Sequence, residues 1–466
     1  MRRLTFDRVR ALPPRTDGVA PSFWLESARP PPRGALAGEL SVDVAIVGGG
    51  FTGLWTAVAL QQADPSCSVA VLEGAAIGSG ASGRCGGFAM TLVDRSLTDL
   101  VRRVGRSEAL AIHSALAERV STLAPFLAAH GIDCDAMPNG LLVVSSGPEQ
   151  DERIETELAT MAKLGIEARF LDRAAVQREI HSETLRSGFE DPACTLVDPA
   201  KLARGLARFA ESLGVRIFER TPVLEIEETS GRVRLRTAAG TVVADRVVLG
   251  LNSFGFALPE LRRYLMTFYS YIVLTEPLGD ERWERIGWKR RQGVEDRRTF
   301  LHYPRPTADG RIVWGGWKTP LKPNGPDIAH DRDPQVFENL ERTFRTTFPQ
   351  LADVGFTHRW GGPLAITGRF MPAVGWLSPG RIAFGFGYNG HGVGPSRLVG
   401  EIVRDLLLDR RTGITELAFV RKKPTRLPGG ALRDFFVATA IDTLLRADDA
   451  GKPEPLPFRL INRVLG

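Results

Sequence analysis

The stretch Val42-Asp-Val-Ala-Ile-Val47-Gly-Gly-Gly50-Phe-Thr-Gly53-Leu54 decides the fold. Its first half, Val42 to Val47, is the apolar run of a strand buried on both faces of a parallel sheet. Gly48, Gly50 and Gly53 then form G-x-G-x-x-G, and the pattern from about Thr52 to Gln62 is helical. A second apolar strand, Val69 to Leu72, completes a βαβ unit and ends on Glu73. The glycines permit a tight turn, backbone approach to a pyrophosphate, and close packing of helix on strand. Phosphates then sit at a helix N-terminus, where free N–H groups and the dipole favour anions. A carboxylate at Glu73 accepts hydrogen bonds from a ribose with an unphosphorylated 2′-hydroxyl. The unit therefore binds FAD or NAD.

Other residues choose between them. Gly78-Ser-Gly-Ala-Ser-Gly-Arg-Cys-Gly-Gly87 follows the second strand and is too glycine-rich for a simple connection. Such a loop can wrap a flat ring system. Far downstream, Gly385 to Gly394 holds five more glycines and opens another helix near Pro395. A second helix N-terminus suits the N1–C2=O edge of a reduced flavin, whose negative charge the dipole stabilises. FAD is the expected cofactor.

The bulk numbers fit an ordinary enzyme. The chain has 466 residues, 43% hydrophobic and 24% charged, enough for two modest domains with proper cores. A formal charge of +6, with no basic run longer than Arg421-Lys422-Lys423, gives no nucleic-acid footprint. Cys67, Cys85, Cys134 and Cys194 share no metal-ligand spacing, so no metal site is expected and a reducing compartment is. With no apolar leader after Met1-Arg-Arg and no membrane-length apolar stretch, the expected location is the cytoplasm.

At these residues the chain resembles the D-amino-acid oxidase superfamily, in the branch of γ-glutamylputrescine oxidoreductase, glycine oxidase and sarcosine oxidase. The matching pieces are Asp43 to Leu54, Ile77 to Gly87, Trp360-Gly-Gly362 and Gly387-Tyr-Asn-Gly-His-Gly-Val393, with Phe23-Trp24 ahead of them. The resemblance implies an α/β fold, a discontinuous Rossmann-like FAD-binding domain and a substrate domain built on a mixed β-sheet, followed by a C-terminal helical tail. The expected division is an arm at 1–39, an FAD domain from 40–95, 191–256 and 356–412, a substrate domain from 96–190 and 257–355, and an extension at 413–466.

Carried over by position, Gly48, Gly50, Phe51, Thr52, Gly53 and Glu73 hold ADP, and Val223 touches adenine. Ser79, Gly80, Ala81, Ser82, Gly83, Arg84, Cys85, Gly86 and Gly87 flank the isoalloxazine, with Gly362. Gly390, His391, Gly392, Val393 and Gly394 face its N1–C2 edge. The chain departs from the branch in carrying Cys85 where putrescine-type members have Asn, and in reading Thr367-Gly-Arg-Phe-Met-Pro372, with Arg369, where an acid is usual. Ile312-Val-Trp-Gly-Gly-Trp317 also lacks the lysine with which sarcosine oxidases activate oxygen, Lys318 being the nearest.

The implied reaction is oxidation of a small amine or amino acid by hydride transfer to flavin N5, with O2 as acceptor. His391, over the ring, is the expected catalytic polar residue, with Tyr269 and Tyr271. Tyr269, Tyr271, His302, Tyr303, Trp314 and Trp317, on aromatic strands, are the expected amine pocket. Arg84, Arg297 and Arg298 are candidates for a substrate carboxylate. Two alternatives stay open: a dehydrogenase with a quinone or protein acceptor, and an electron-relay subunit without amine chemistry.

Overall fold

The computed structural model describes residues 3–7, 22–26, 32–93, 96–229 and 231–450. Most of the proline-rich arm, Pro13, Pro14, Pro30 and Pro31 included, lies outside them.

The βαβ unit forms as its pattern predicts. Strand Gly38–Val47 leads into helix Phe51–Ala63 and strand Val69–Leu72. Val44 and Ile46 pack under the helices while Ala45 and Val47 enter the core on the opposite face, which is why the run is apolar at consecutive positions. Around this unit grows a nine-stranded sheet. Gly240–Leu249 runs parallel beside Gly38–Val47, Ile382–Phe386 beside Gly240–Leu249, and Arg216–Phe218 beside Val69–Leu72. These five parallel strands present their carboxyl ends together, the side on which open α/β sheets bind ligands. An antiparallel ribbon, Glu225–Glu228 with Val233–Arg236, occupies the other half of Gly240–Leu249.

Helix Pro199–Ser212 starts where its signals predict: the Asp198 carboxylate accepts from the amides of Ala200 and Lys201, both at 2.9 Å, with proline first in the helix.

A second, antiparallel sheet orders Arg305–Pro306, Ile312–Gly316, Leu265–Thr275 and Phe356–Thr367. Phe356–Thr367, grouped by sequence with the nucleotide segments, pairs with Leu265–Thr275 along its length. A third sheet joins Leu141–Val144 in parallel to Gly293–Asp296 and in antiparallel to Gly188–Asp191.

Two expectations change, and the expected C-terminal helix forms. Periodicity predicts one long amphipathic stretch from Ser107 to His130; it is two helices, Arg106–Ser121 and Leu123–Ala129, divided at Thr122, whose hydroxyl bonds back to the Glu118 carbonyl. Phe300 to Tyr303 is no strand. The His302 amide and ring Nδ1 both bond the Asp296 carboxylate, leaving a single bridge to Gly316. The C-terminal helix, Ala431–Asp449, lies against the molecule: Asp448 accepts from the Phe300 amide at 2.7 Å, and Asp442 pairs with Lys318 at 3.0 Å. Among the described residues no helix is long and apolar enough to cross a membrane.

Candidate active site

Backbone sterics build the first wall. Gly48 has φ +110°, and a Cβ there would lie 2.7 Å from the Gly250 carbonyl oxygen. A Cβ on Gly53 would sit 2.0 Å from the Gly48 oxygen, so the third glycine packs the turn from behind and does not line the cavity. Gly50 offers the helix no side-chain cap, which leaves first-turn amides for an anion. The Phe51 amide meets Ser82 Oγ at 3.0 Å. Glu73 accepts from the amides of Gly49 (2.7 Å) and Ala75 (2.8 Å), and burial pushes its carboxyl up.

The loop from Ser79 to Gly87 lies across from this turn, clamped through its outward carbonyls. Ser22 bonds Gly83, Trp24 Nε1 bonds Cys85 at 3.0 Å, Trp360 Nε1 bonds Arg84 at 2.8 Å, and Arg305 reaches Gly86. Arg84 is itself locked to Asp331 at 2.7 Å, both side chains almost fully buried. Arg305, held by carbonyls and pushed down to about 10 by burial, stiffens the loop where it meets Val197. Ser79, Gly80, Ala81, Ser82, Arg84, Cys85, Gly86 and Gly87 face the cavity; Gly83 turns its back on it, against Gly78 and Leu25. Burial pushes the Cys85 thiol up to about 11, so it stays protonated.

The second glycine cluster closes the third side. Tyr388 and Thr52 share a buried 2.6 Å hydrogen bond that ties the two helix starts together. Helix Val393–Leu407 begins at the cavity, which Gly390, His391, Gly392 and Val393 line. Gly394 does not; a Cβ there would meet the Met90 carbonyl at 2.5 Å. Asn389 Nδ2 and His391 Nδ1 are buried without hydrogen-bond partners. Burial also holds the His391 imidazole down to about 4, and therefore neutral.

Together these walls enclose a cavity of about 860 Å3, within the range of cofactor sites. Val223 lies at its nucleotide end, Gly362 beside Arg84. The second sheet supplies its other wall with the opposite strand face from the one expected. Met266, Phe268, Ser270 and Ile272 line the cavity. Tyr269 and Tyr271 point away, their hydroxyls donating to the carbonyls of Asp327 and His330, because alternate residues of a strand face opposite sides. Trp314 is spent in the same outer core, donating to Thr343, and His302 bonds Asp296 and Thr343. Trp317 belongs to that core too, at φ +59° where the strand has ended. None of these five lines the cavity.

Of the aromatic set, Tyr303 does, its hydroxyl 2.7 Å from Ser270 Oγ. Two further contributors went unread. Glu295 lines the cavity from the third sheet, and Val437, Ala440, Ile441 and Leu444 of the C-terminal helix cover it. The spacing of Val437, Ile441 and Leu444, i, i+4 and i+7, gives the expected C-terminal helix the apolar face that covers the cavity. Arg297 and Arg298 stand behind the wall, beside Glu295 and Asp296. Arg369 bonds the Phe419 and Lys422 carbonyls, holding the C-terminal segment.

A cradle that side chains would fill, two helix N-termini and unpartnered polar atoms at the second of them fit FAD. The profile of the FAD dependent oxidoreductase family (DAO) matches residues 43–406. The chain belongs to this family. As an FAD-dependent oxidoreductase it has relatives over most of its length. It is 32% identical to gamma-glutamylputrescine oxidoreductase of Escherichia coli over 83% of this chain and 88% of that one. It is 30% identical to the probable oxidoreductase OrdL of Haemophilus influenzae over 80% and 85%. Its fold is that of glycine oxidase from Geobacillus kaustophilus, with TM-score 0.69 at 20% identity, over 84% of this chain and all of that one.

Of the residues expected to hold the cofactor, Gly48, Gly50, Phe51, Thr52, Glu73, Ser79 to Ser82, Arg84 to Gly87 and Gly390 to Val393 all line this one cavity.

Proposed function

We propose that the chain oxidises a carbon–nitrogen single bond in a small primary or secondary amine or amino acid. Bound FAD supplies the hydride acceptor at N5. The substrate loses its α-hydrogen with the bonding pair and a proton from nitrogen. The resulting imine hydrolyses to an aldehyde or keto acid plus amine or ammonia, and the electron pair passes to O2, giving H2O2.

The observation that carries this reading is one continuous cavity, running from the glycine turn beside Glu73 to a chamber walled by Phe268, Ile272, Phe300 and Tyr303. The apolar walls exclude water and fix the substrate's orientation, the main demands of this chemistry on the protein. His391, neutral, offers a hydrogen bond rather than a charge. The paired hydroxyls of Ser270 and Tyr303 orient the polar end of the substrate. The activities named for the Escherichia coli and Geobacillus relatives support it.

A second reading concerns the acceptor. No lysine is among the described residues lining the cavity, and Lys318 is paired with Asp442. This favours a dehydrogenase that passes electrons to a quinone or protein. Anaerobic addition of primary and secondary amines to the yellow protein should bleach its visible absorbance. Rapid recovery with peroxide on admitting air supports the oxidase; slow recovery that a quinone accelerates supports the dehydrogenase. A yellow protein that no amine bleaches removes the amine reading.

A further inference from the structure

Strand Gly293–Asp296 sends one unusual side chain to the cavity wall. Val294 belongs to the core beneath the second sheet, and Asp296 turns to His302. Gly293 and Glu295 therefore share the opposite face. A Cβ on Gly293 would sit 2.6 Å from the Phe88 ring, so that face looks toward Phe88. Phe88 and Glu295 both line the cavity.

Glu295 is 3% exposed, and its carboxyl accepts from Arg297 Nη1 only at the long distance of 3.5 Å. Its nearest cation, Arg297 Nη1, stands 3.5 Å from Oε1 and is shared with Glu157 at 4.0 Å. Asp191 adds a third carboxylate to the same field, while Asp296 has its own partners in Arg298 and His302. Burial, relieved in part by Arg297 and reinforced by Asp296, Glu157 and Asp191, pushes Glu295 up to about 7. A carboxylate in such a place gains most from a cation delivered by the cavity. The cavity's arginines are occupied otherwise: Arg84 is closed onto Asp331, and Arg103 lies over the Phe370 ring at 5.3 Å.

We propose that Glu295 is the ammonium site of the substrate chamber, and that the substrate is an amine which enters as a cation and is held by that charge rather than by an α-carboxylate. This rests on the amine-oxidation reading and names its substrate class. Once the ammonium is seated, one proton moves from substrate nitrogen to a Glu295 oxygen, which frees the lone pair that oxidation requires.

The test uses the FAD holoenzyme and two probes of one shape and opposite charge. tert-Butylamine has no α-hydrogen and cannot be oxidised; pivalate is its anionic counterpart. Each is titrated by the shift it causes in the flavin visible spectrum. At pH 8 tert-butylamine should bind at least tenfold tighter than pivalate, and its affinity should rise between pH 6 and 8 as Glu295 ionises. Glu295→Gln should erase that preference and its pH dependence with FAD content unchanged, whereas Glu157→Gln, behind the wall, should keep most of it. Equal or tighter binding of pivalate to the wild type overturns the proposal without any variant, and so does a preference that survives in Glu295→Gln. Charge-selective binding in a protein that amines never bleach leaves the site standing and removes the oxidation reading. Bleaching without charge selectivity does the reverse.

Discussion

The glycine turn at Gly48 and the aromatic strand Leu265–Thr275 wall the same cavity under different rules. At the turn every requirement is set by neighbouring backbone: a Cβ on Gly53 would lie only 2.0 Å from the Gly48 oxygen, and Gly48 occupies a conformation other residues avoid. On the strand, Phe268 on one face alternates with Tyr269 and Tyr271 on the other, and which face lines the cavity depends on a distant helix, Pro334–Thr347, packing against the tyrosines. Chemistry enforced by the main chain leaves a mark in residue type. Chemistry assigned by tertiary packing does not.

The comparison can be broken most severely at the turn. Gly53→Ala should yield a folded but colourless protein, with FAD affinity lowered by two orders of magnitude or more, measured as visible absorbance per mole after reconstitution. Retention of full colour would mean the turn relaxes freely. The next largest effect is at the loop clamp. Asp331→Ala strands the buried Arg84 guanidinium, a loss of about 3–5 kcal/mol, read by urea unfolding of the holoprotein. Replacing both partners with apolar residues should restore much of it. The smallest effects separate the strand faces. Tyr271→Phe should lower stability by about 1 kcal/mol through the lost bond to His330 and leave kcat/KM within about twofold, a margin well under 1 kcal/mol. Tyr303→Phe should instead lower kcat/KM by about tenfold, as loss of one oriented hydrogen bond in a dry site would. The reverse ranking would return the outer tyrosines to the substrate.

Much of the nucleotide half was legible. The limits of Val69–Leu72 and the cap at Asp198 follow from local signals that the structure repeats. The substrate half was less so. Period-two alternation at Phe268, Tyr269, Ser270 and Tyr271 states that two faces exist without saying which is inward. Gly293-Val-Glu-Asp-Arg-Arg298 carries four charges to one apolar side chain, and no hydrophobic period marks it as a strand, yet Gly293–Asp296 is buried throughout. Phe356–Thr367 finds its partner across a gap of some eighty residues, and no local pattern records a pairing of that reach.

The bond between Thr52 and Tyr388 spans 336 positions. The two helix starts are joined only once the chain has been synthesised as far as Tyr388, so no fragment that ends before it holds both walls of the cavity. Closing so large a loop costs entropy before any contact repays it. A ligand that contacts both ends binds only the folded chain, and so stabilises by mass action the long-range closure that this bond completes.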